Sequence, residues 1–362
     1  MFCFQFFYFA IIYSMKILII HHYLNFKATY YNKFPDIFLK KLSGANIEYK
    51  LLYNFTESEF DKESKNCDFI LNFEELVTKN SKKFYNDETS TLNDLLIKFS
   101  EIEKKINVYP PFDFYNLTAS KKYLRILPKK LLLPKTKTFF YRKNTVQEKL
   151  LKIQKIYQKN NIKDIVVKFG YSGDSDHVFF YDIDNIFDVI SNCKAYRKET
   201  GKTFLIIVQQ YNPEVKNRFN EYRCLFINGK MSPISAFGYQ RIEGKRVLIP
   251  SKELDETKNP DKKIIKYANL AFDSIKEYLK FIPPFLRIDI SWMIRNNKKR
   301  YYINEIENLD GTFYFMLPYV PKKYDRLYDK NDCTNDICKS SLKQQYELAD
   351  ALFNYIKNKI KL

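Results

Sequence analysis

Glycine is scarce in this chain, with eight among 362 residues, and histidine (three) and tryptophan (one) are scarcer. Neither the Walker pattern GxxxxGK(S/T) nor the Rossmann pattern GxGxxG occurs, so the two common glycine-built phosphate cradles are excluded. The six cysteines (Cys3, Cys67, Cys193, Cys224, Cys333, Cys338) are dispersed, which excludes a disulfide framework and paired zinc knuckles and fits a reducing, cytoplasmic setting. No second pair and no nearby histidine completes a metal site around Cys333 and Cys338, so they read as free thiols. The apolar opening MFCFQFFYFAIIYS has no basic leader and falls short of the ~20 residues a spanning helix needs. Residues 1–14 therefore read as an extension, disordered or a mis-assigned start ahead of Met15, and no membrane partner is expected.

What is abundant is positive charge. Lys+Arg number 61 against 42 acids, a net +19 that suits an anionic partner such as a nucleotide, a polyphosphate or an acidic peptide. Basic residues are spread along the chain, and the many Tyr and Phe read mainly as core, so nucleic acid is not expected. With 45% hydrophobic content, 362 residues can bury more than one core, since single cores stop growing at roughly 250–300 residues. Two or three lobes follow.

From Lys16 to Phe73 strand and helix patterns alternate (KILIIHHY, a helix near 32–42, IEYKLLY, DFILNF), the grammar of a parallel α/β sheet. A polar loop is expected over 76–90, then the helix TLNDLLIKFSEIEKKI. A helix over 116–127 leads into a small α+β lobe with strands at 137–141, DIVVKFG and HVFFYD, and helices near 145–158 and 183–196. FLIIVQQY follows, then EYRCLFING and KMSPISAFGY, joined by a hairpin at Asn228-Gly229. A basic loop is expected over 239–263, then a helix over 266–280, a hairpin of FLRIDISWMI and RYYINEIEN, and an amphipathic C-terminal helix packed on the protein.

Three constellations carry chemistry. Gly170 and Gly173 stand three apart after the strand ending in Lys168; they could free backbone amides to meet an anion, with the hydroxyls of Ser172 and Ser175 as further donors, or the turn is a plain hairpin. Arg287 and Asp289 alternate on one strand and Glu305 and Glu307 on the next. If the two strands pair, three carboxylates converge and call for a hard cation, the alternative being exposed acids paired with Lys298, Lys299 and Arg300. Gln209, Gln210 and Tyr211 end an apolar strand whose amides could read an adenine edge. Glu221 could accept from ribose hydroxyls with Arg223 on its face, or the two could form a surface ion pair. His21 and His22, at the end of the first strand, are substrate-site candidates or ordinary strand-end residues.

In order and spacing these elements resemble the ATP-grasp superfamily from Met15 to Tyr314, with the D-alanine ligase branch of carboxylate-amine ligases nearest in motif. The resemblance implies a parallel pre-ATP-grasp domain (15–109), a small lid lobe (110–205), a core lobe with a metal site (206–330) and a C-terminal helix (331–362). It implies ATP and Mg2+ as cofactors, with Lys121 (after Ser120) and Lys168 on the phosphates and Glu221-Tyr222 matching the ribose-binding pair. Arg287-Ile-Asp289 and Glu305-Ile-Glu307 match the metal strands, with Glu307 where the family usually has Asn. The implied activity is activation of a small-molecule or peptide carboxylate as an acylphosphate for attack by an amine, with Arg287 holding the acylphosphate or tetrahedral oxyanion and Arg223, Arg241, Lys245 and Arg246 binding the γ-phosphate or an acidic substrate. An inositol polyphosphate kinase, echoed in GDSDH, and a non-catalytic assembly chaperone, echoed in NEYRC, share the fold and are the alternatives.

Overall fold

The computed structural model describes residues 15–21, 33–53, 55–74, 78–133, 135–172, 177–213, 219–232, 234–242, 245–250, 261–309 and 336–360. Strands β1 (Lys16–Ile20), β2 (Glu48–Leu52), β3 (Phe69–Asn72) and β4 (Asn107–Tyr109) form a parallel sheet in the order β2-β1-β3-β4. The near-continuous apolar runs KILII and FILN are what a strand covered on both faces requires. Around the sheet lie helices α1 (Phe34–Gly44), α2 (Glu57–Ser64), α3 (Thr78–Tyr85) and α4 (Leu92–Glu103). Thr56 and Thr91 start α2 and α4 with reciprocal caps to Glu59 and Asp94, which satisfy amides the helix itself leaves open. Helix α3 falls inside the segment expected as a loop. Its sequence TKNSKKFY is polar, and it is anchored by Phe84, whose ring meets Phe60 at 5.6 Å and Phe55 at 5.5 Å, and by buried Ser81.

The segment expected as one helix over 116–127 is two: α5 (Phe112–Ala119) and α6 (Tyr123–Ile126), broken where Lys121 takes φ +57°. An antiparallel sheet follows, ordered β5-β8-β6-β7, from β5 (Thr136–Phe140), β6 (Asp164–Phe169), β7 (Val178–Asp182) and β8 (Leu205–Gln210). Its helices are α7 (Val146–Gln158) and α8 (Val189–Thr200), the latter preceded by a 3-10 turn over Ile183–Asp188.

The third sheet runs β12-β11-β9-β13-β14, with β10 also on β9. Its strands are β9 (Phe219–Ile227), β10 (Lys230–Met231), β11 (Ser235–Ile242), β12 (Lys245–Pro250), β13 (Phe285–Arg295) and β14 (Lys298–Glu307). Asn228 and Gly229 (φ +47° and +78°) turn β9 into β10, and Asn296 and Asn297 (φ +50° and +55°) turn β13 into β14, as two-residue hairpins of this hand demand. Strand β11 falls largely in the expected strand KMSPISAFGY, whereas the basic stretch expected as a loop contributes the end of β11 and all of β12, paired so that Arg241 lies opposite Arg246. The apolar run VLIP gives that stretch enough strand character to form a sheet edge.

Helix α9 (Lys262–Leu279) packs one face of this sheet, Phe272 stacking on Phe226 at 4.4 Å. Helix α10 (Asp336–Ile360) buries Leu348, Leu352 and Ile356 and sets Tyr355 against Tyr109 at 4.6 Å, packing on the protein as its pattern predicts. Strand β1 ties the cores together: Ile17 and Ile19 join the cluster under the third sheet, while Leu18 and Ile20 join the cluster under the second. Among the described residues no helix is long and apolar enough to cross a membrane.

Candidate active site

The antiparallel register of β13 and β14 sets Arg287 opposite Glu307 and Asp289 opposite Glu305. Alternation along each strand puts all four side chains on one face, so carboxylate oxygens of Asp289, Glu305 and Glu307 lie within 4.8 Å of one another. A bulge after Asp289 leaves Asn304 as the extra residue, and its amide donates to Glu221 Oε2 at 2.9 Å. Arg287 answers the acids at its own end. It meets Asp289 with Nε to Oδ1 at 2.9 Å and Nη2 to Oδ2 at 2.8 Å, and Glu307 Oε2 at 2.7 Å. The acids therefore pair inside the protein, not with Lys298, Lys299 or Arg300.

On the neighbouring β9, Arg223 stands in register with Asp289, and its Nε lies 3.2 Å from Glu221 Oε1. This pair is buried (2% and 4% exposed), not the surface pair the sequence also allowed.

Two lysines approach from elsewhere in the chain. Lys121, at the break between α5 and α6, places Nζ 2.8 Å from Glu305 Oε1. Lys168, the penultimate residue of β6, is partly buried and near both Lys121 and Glu305. Gly170 explains how these two segments come so close. A Cβ there would fall 2.5 Å from the Ser120 carbonyl oxygen, so only glycine lets the strand end lie against the residue preceding Lys121. The contact is fixed by Tyr171 N donating to Ala119 O at 2.6 Å and Gly170 N to Leu205 O at 2.8 Å. The Gly170 amide is thus spent inside the fold, and Ser172 turns its hydroxyl back to Phe169 O at 2.6 Å. Both were expected to donate to an anion; their bonds are local instead. Gly173 and Ser175 lie outside the described residues, as do His22, Cys333 and the 1–14 extension, and the side chain of Cys338 is likewise undescribed.

At the end of β8, Gln209 is buried with its amide toward Thr136 at 3.4 Å. The N–H groups of Gln210 and Tyr211 donate to Lys135 O (3.0 Å) and Asp164 O (2.9 Å), so these two amides are not open to a base edge. His21 stacks on Tyr53 at 5.4 Å. The side chains of Arg241, Lys245 and Arg246 are outside the described set.

Asn304 and Asn308 stand in the flagged strand INEIEN, but sequence reasoning gave them no role. Buried Asn308 donates to Thr118 Oγ1 at 2.6 Å, pinning the end of β14 to α5 directly ahead of Lys121. Each sits one residue from a flagged acid, but nothing in the sequence says which strand it will reach.

Electrostatics divide the acids. Burial alone would raise Glu305, yet the Lys121 ammonium, with Arg287 and Lys168, holds it down at about 2. Glu221 is raised to about 7 by burial and by the Asp289 charge, against the pull of Arg223 and Arg287. Burial pushes Lys168 below its usual value. Three convergent carboxylate oxygens, at least one of them held ionised, form an all-oxygen donor set that fits a hard divalent cation.

No protein-family model matches the sequence, and no curated protein matches it significantly. Solved structures do match. A D-cycloserine synthetase, DcsG, superposes with a TM-score of 0.61 at 12% identity, covering 94% of this chain and 100% of that one. D-alanyl-alanine synthetase A from Vibrio cholerae O1 biovar eltor str. N16961 matches at 0.55 and 15% identity over 96% and 99%. D-alanine–D-alanine ligase from Bacillus anthracis, complexed with ATP, matches at 0.50 and 14% identity over 96% and 99%. At these identities the likeness is one of architecture, and it identifies the chain's mixed parallel and antiparallel framework as the ATP-grasp fold.

Proposed function

We propose that the chain is a magnesium-dependent ATP-grasp ligase that activates a carboxylate as an acylphosphate for attack by an amine. The observation that carries this reading is the gathering of Lys121, Lys168 and the Asp289–Glu305–Glu307 cluster from three separate parts of the chain onto one spot. Division into a pre-ATP-grasp domain (15–109), a lid (110–205), a core lobe (206–330) and a C-terminal helix (331–362) belongs to the same proposal.

Charge balance supports it. Lys121, Lys168, Arg223 and Arg287 face Glu221, Asp289, Glu305 and Glu307, so the site by itself is nearly neutral. A triphosphate adds several negative charges at once, and a cation held by Asp289, Glu305 and Glu307 would offset them and draw charge from the transferring phosphoryl group. Lys121 and Lys168 bind the phosphate oxygens, with the end of β8 beside the base and Glu221 toward the ribose. Oxygen of the substrate carboxylate attacks the γ-phosphorus and the bond to ADP breaks. The amine then attacks the acyl carbon and phosphate leaves. Arg287, held in place by Asp289 and Glu307, is aimed where negative charge develops on the acyl oxygen. The excess of basic residues fits an anionic small molecule or peptide as substrate.

Hydroxylamine trapping tests this proposal. Incubation with MgATP, a pool of amino acids and acidic dipeptides, and hydroxylamine should give acyl hydroxamate in step with ADP. ADP without hydroxamate under any carboxylate would overturn the ligase reading.

A further inference from the structure

The β13–β14 hairpin carries a second concentration of charge at its far end. There Lys130, Tyr267, Arg295, Arg300, Tyr301 and Tyr302 line a cavity of 360 Å³ whose described lining residues include no acid. The volume falls in the range of small-molecule sites, ~300–1,000 Å³. The cavity opens beside β14, the outermost strand of its sheet, and faces the 3-10 turn of Lys129–Leu131. Arg300 stands opposite Met293, four residues along β13 from Asp289. At ~3.3 Å per residue that places it ~13 Å from the carboxylate cluster, outside the site described above.

Arginine is uncommon in this chain, eleven of the 61 cationic residues, so two at one cavity are not accounted for by the general lysine richness. Among the described residues, Lys130, Arg295 and Arg300 are in no ion pair. All three side chains are exposed, so solvent and salt screen part of their mutual repulsion, and a ligand of opposite sign would relieve the remainder. Guanidinium groups hold phosphate and carboxylate oxygens through paired N–H donors, and an ammonium adds a point charge. Tyrosine rings supply a flat, partly apolar wall for the body of such a molecule.

We propose that this cavity binds a small organic anion through a doubly charged headgroup, a phosphate monoester or a dicarboxylate, held by Arg295, Arg300 and Lys130. The site is separate from the nucleotide cleft and stands or falls independently of the ligase reading.

Calorimetry on the full chain tests it, with inorganic phosphate and malonate as probes of the two headgroups. At least one should bind the wild type and Lys121→Ala alike, and bind Arg295→Ala/Arg300→Ala at least about tenfold more weakly. Arg295→Gln/Arg300→Gln, which keeps most of each stem, should show the same loss with an unchanged melting temperature. Binding that survives both double variants, binding lost in Lys121→Ala instead, or no heat from either anion at about 10 mM would overturn the proposal.

Discussion

Gly170→Ala isolates the contact on which the approach of the two lysines depends. The added Cβ would sit 2.5 Å from Ser120 O and 3.1 Å from Ser120 C. Both are backbone atoms, so no side chain can swing aside and the β6 end must retreat by several tenths of an ångström. Retreat stretches the Tyr171 N–Ala119 O and Gly170 N–Leu205 O bonds and carries Lys168 away from Lys121. Overpacking of this kind costs about 1–3 kcal/mol. In a chain of this size each kcal/mol lowers the melting temperature by roughly 2–4 °C, so a fall of about 2–12 °C is expected by calorimetry. Misplacing a phosphate-binding lysine by even part of an ångström should also weaken MgATP binding, by about tenfold for each 1.4 kcal/mol lost. Scanning calorimetry reads the first effect and isothermal titration the second. Wild-type stability together with wild-type MgATP affinity in Gly170→Ala would refute the claim that this glycine serves close packing.

Other residues make separable predictions. Lys121→Met removes the partner that holds Glu305 ionised, and ADP formation should fall by about 10²–10³, as for loss of one preorganised donor. Asn308→Ala leaves Thr118 without its 2.6 Å bond and should cost about 1–3 kcal/mol in urea unfolding, with m unchanged. Glu221 binds its proton more tightly folded (about 7) than unfolded, so it contributes stability that is present at low pH and lost as pH rises through about 7. Glu221→Gln should therefore flatten the decline in metal-free stability between pH 5 and 8; an unchanged pH profile would contradict the assignment.

The metal-strand acids were legible because strand alternation is a short-range rule: Arg287, Asp289, Glu305 and Glu307 needed only a paired hairpin to converge. The parallel sheet was legible for the same reason, in KILII and FILN. Lys121 was assigned to the phosphates by resemblance, but its helix break and its bond to Glu305, 184 residues away, carry no local signature. Scarcity drew attention to Gly170, but the reason the structure gives for it, a backbone passing Ser120, belongs to tertiary packing. Helix α3 and strand β12 were hidden by polar and basic composition, since each depends on contacts made outside its own segment.

Phosphorus NMR of MgATP turnover bears most directly on the central claim. With a carboxylate and amine pool, wild type should convert ATP to ADP and free phosphate in equal amounts, magnesium should be required, and Asp289→Asn should be silent. A new phosphomonoester signal with inositol phosphates and no free phosphate would contradict the ligase account, and failure to bind MgATP at all would contradict the whole of it.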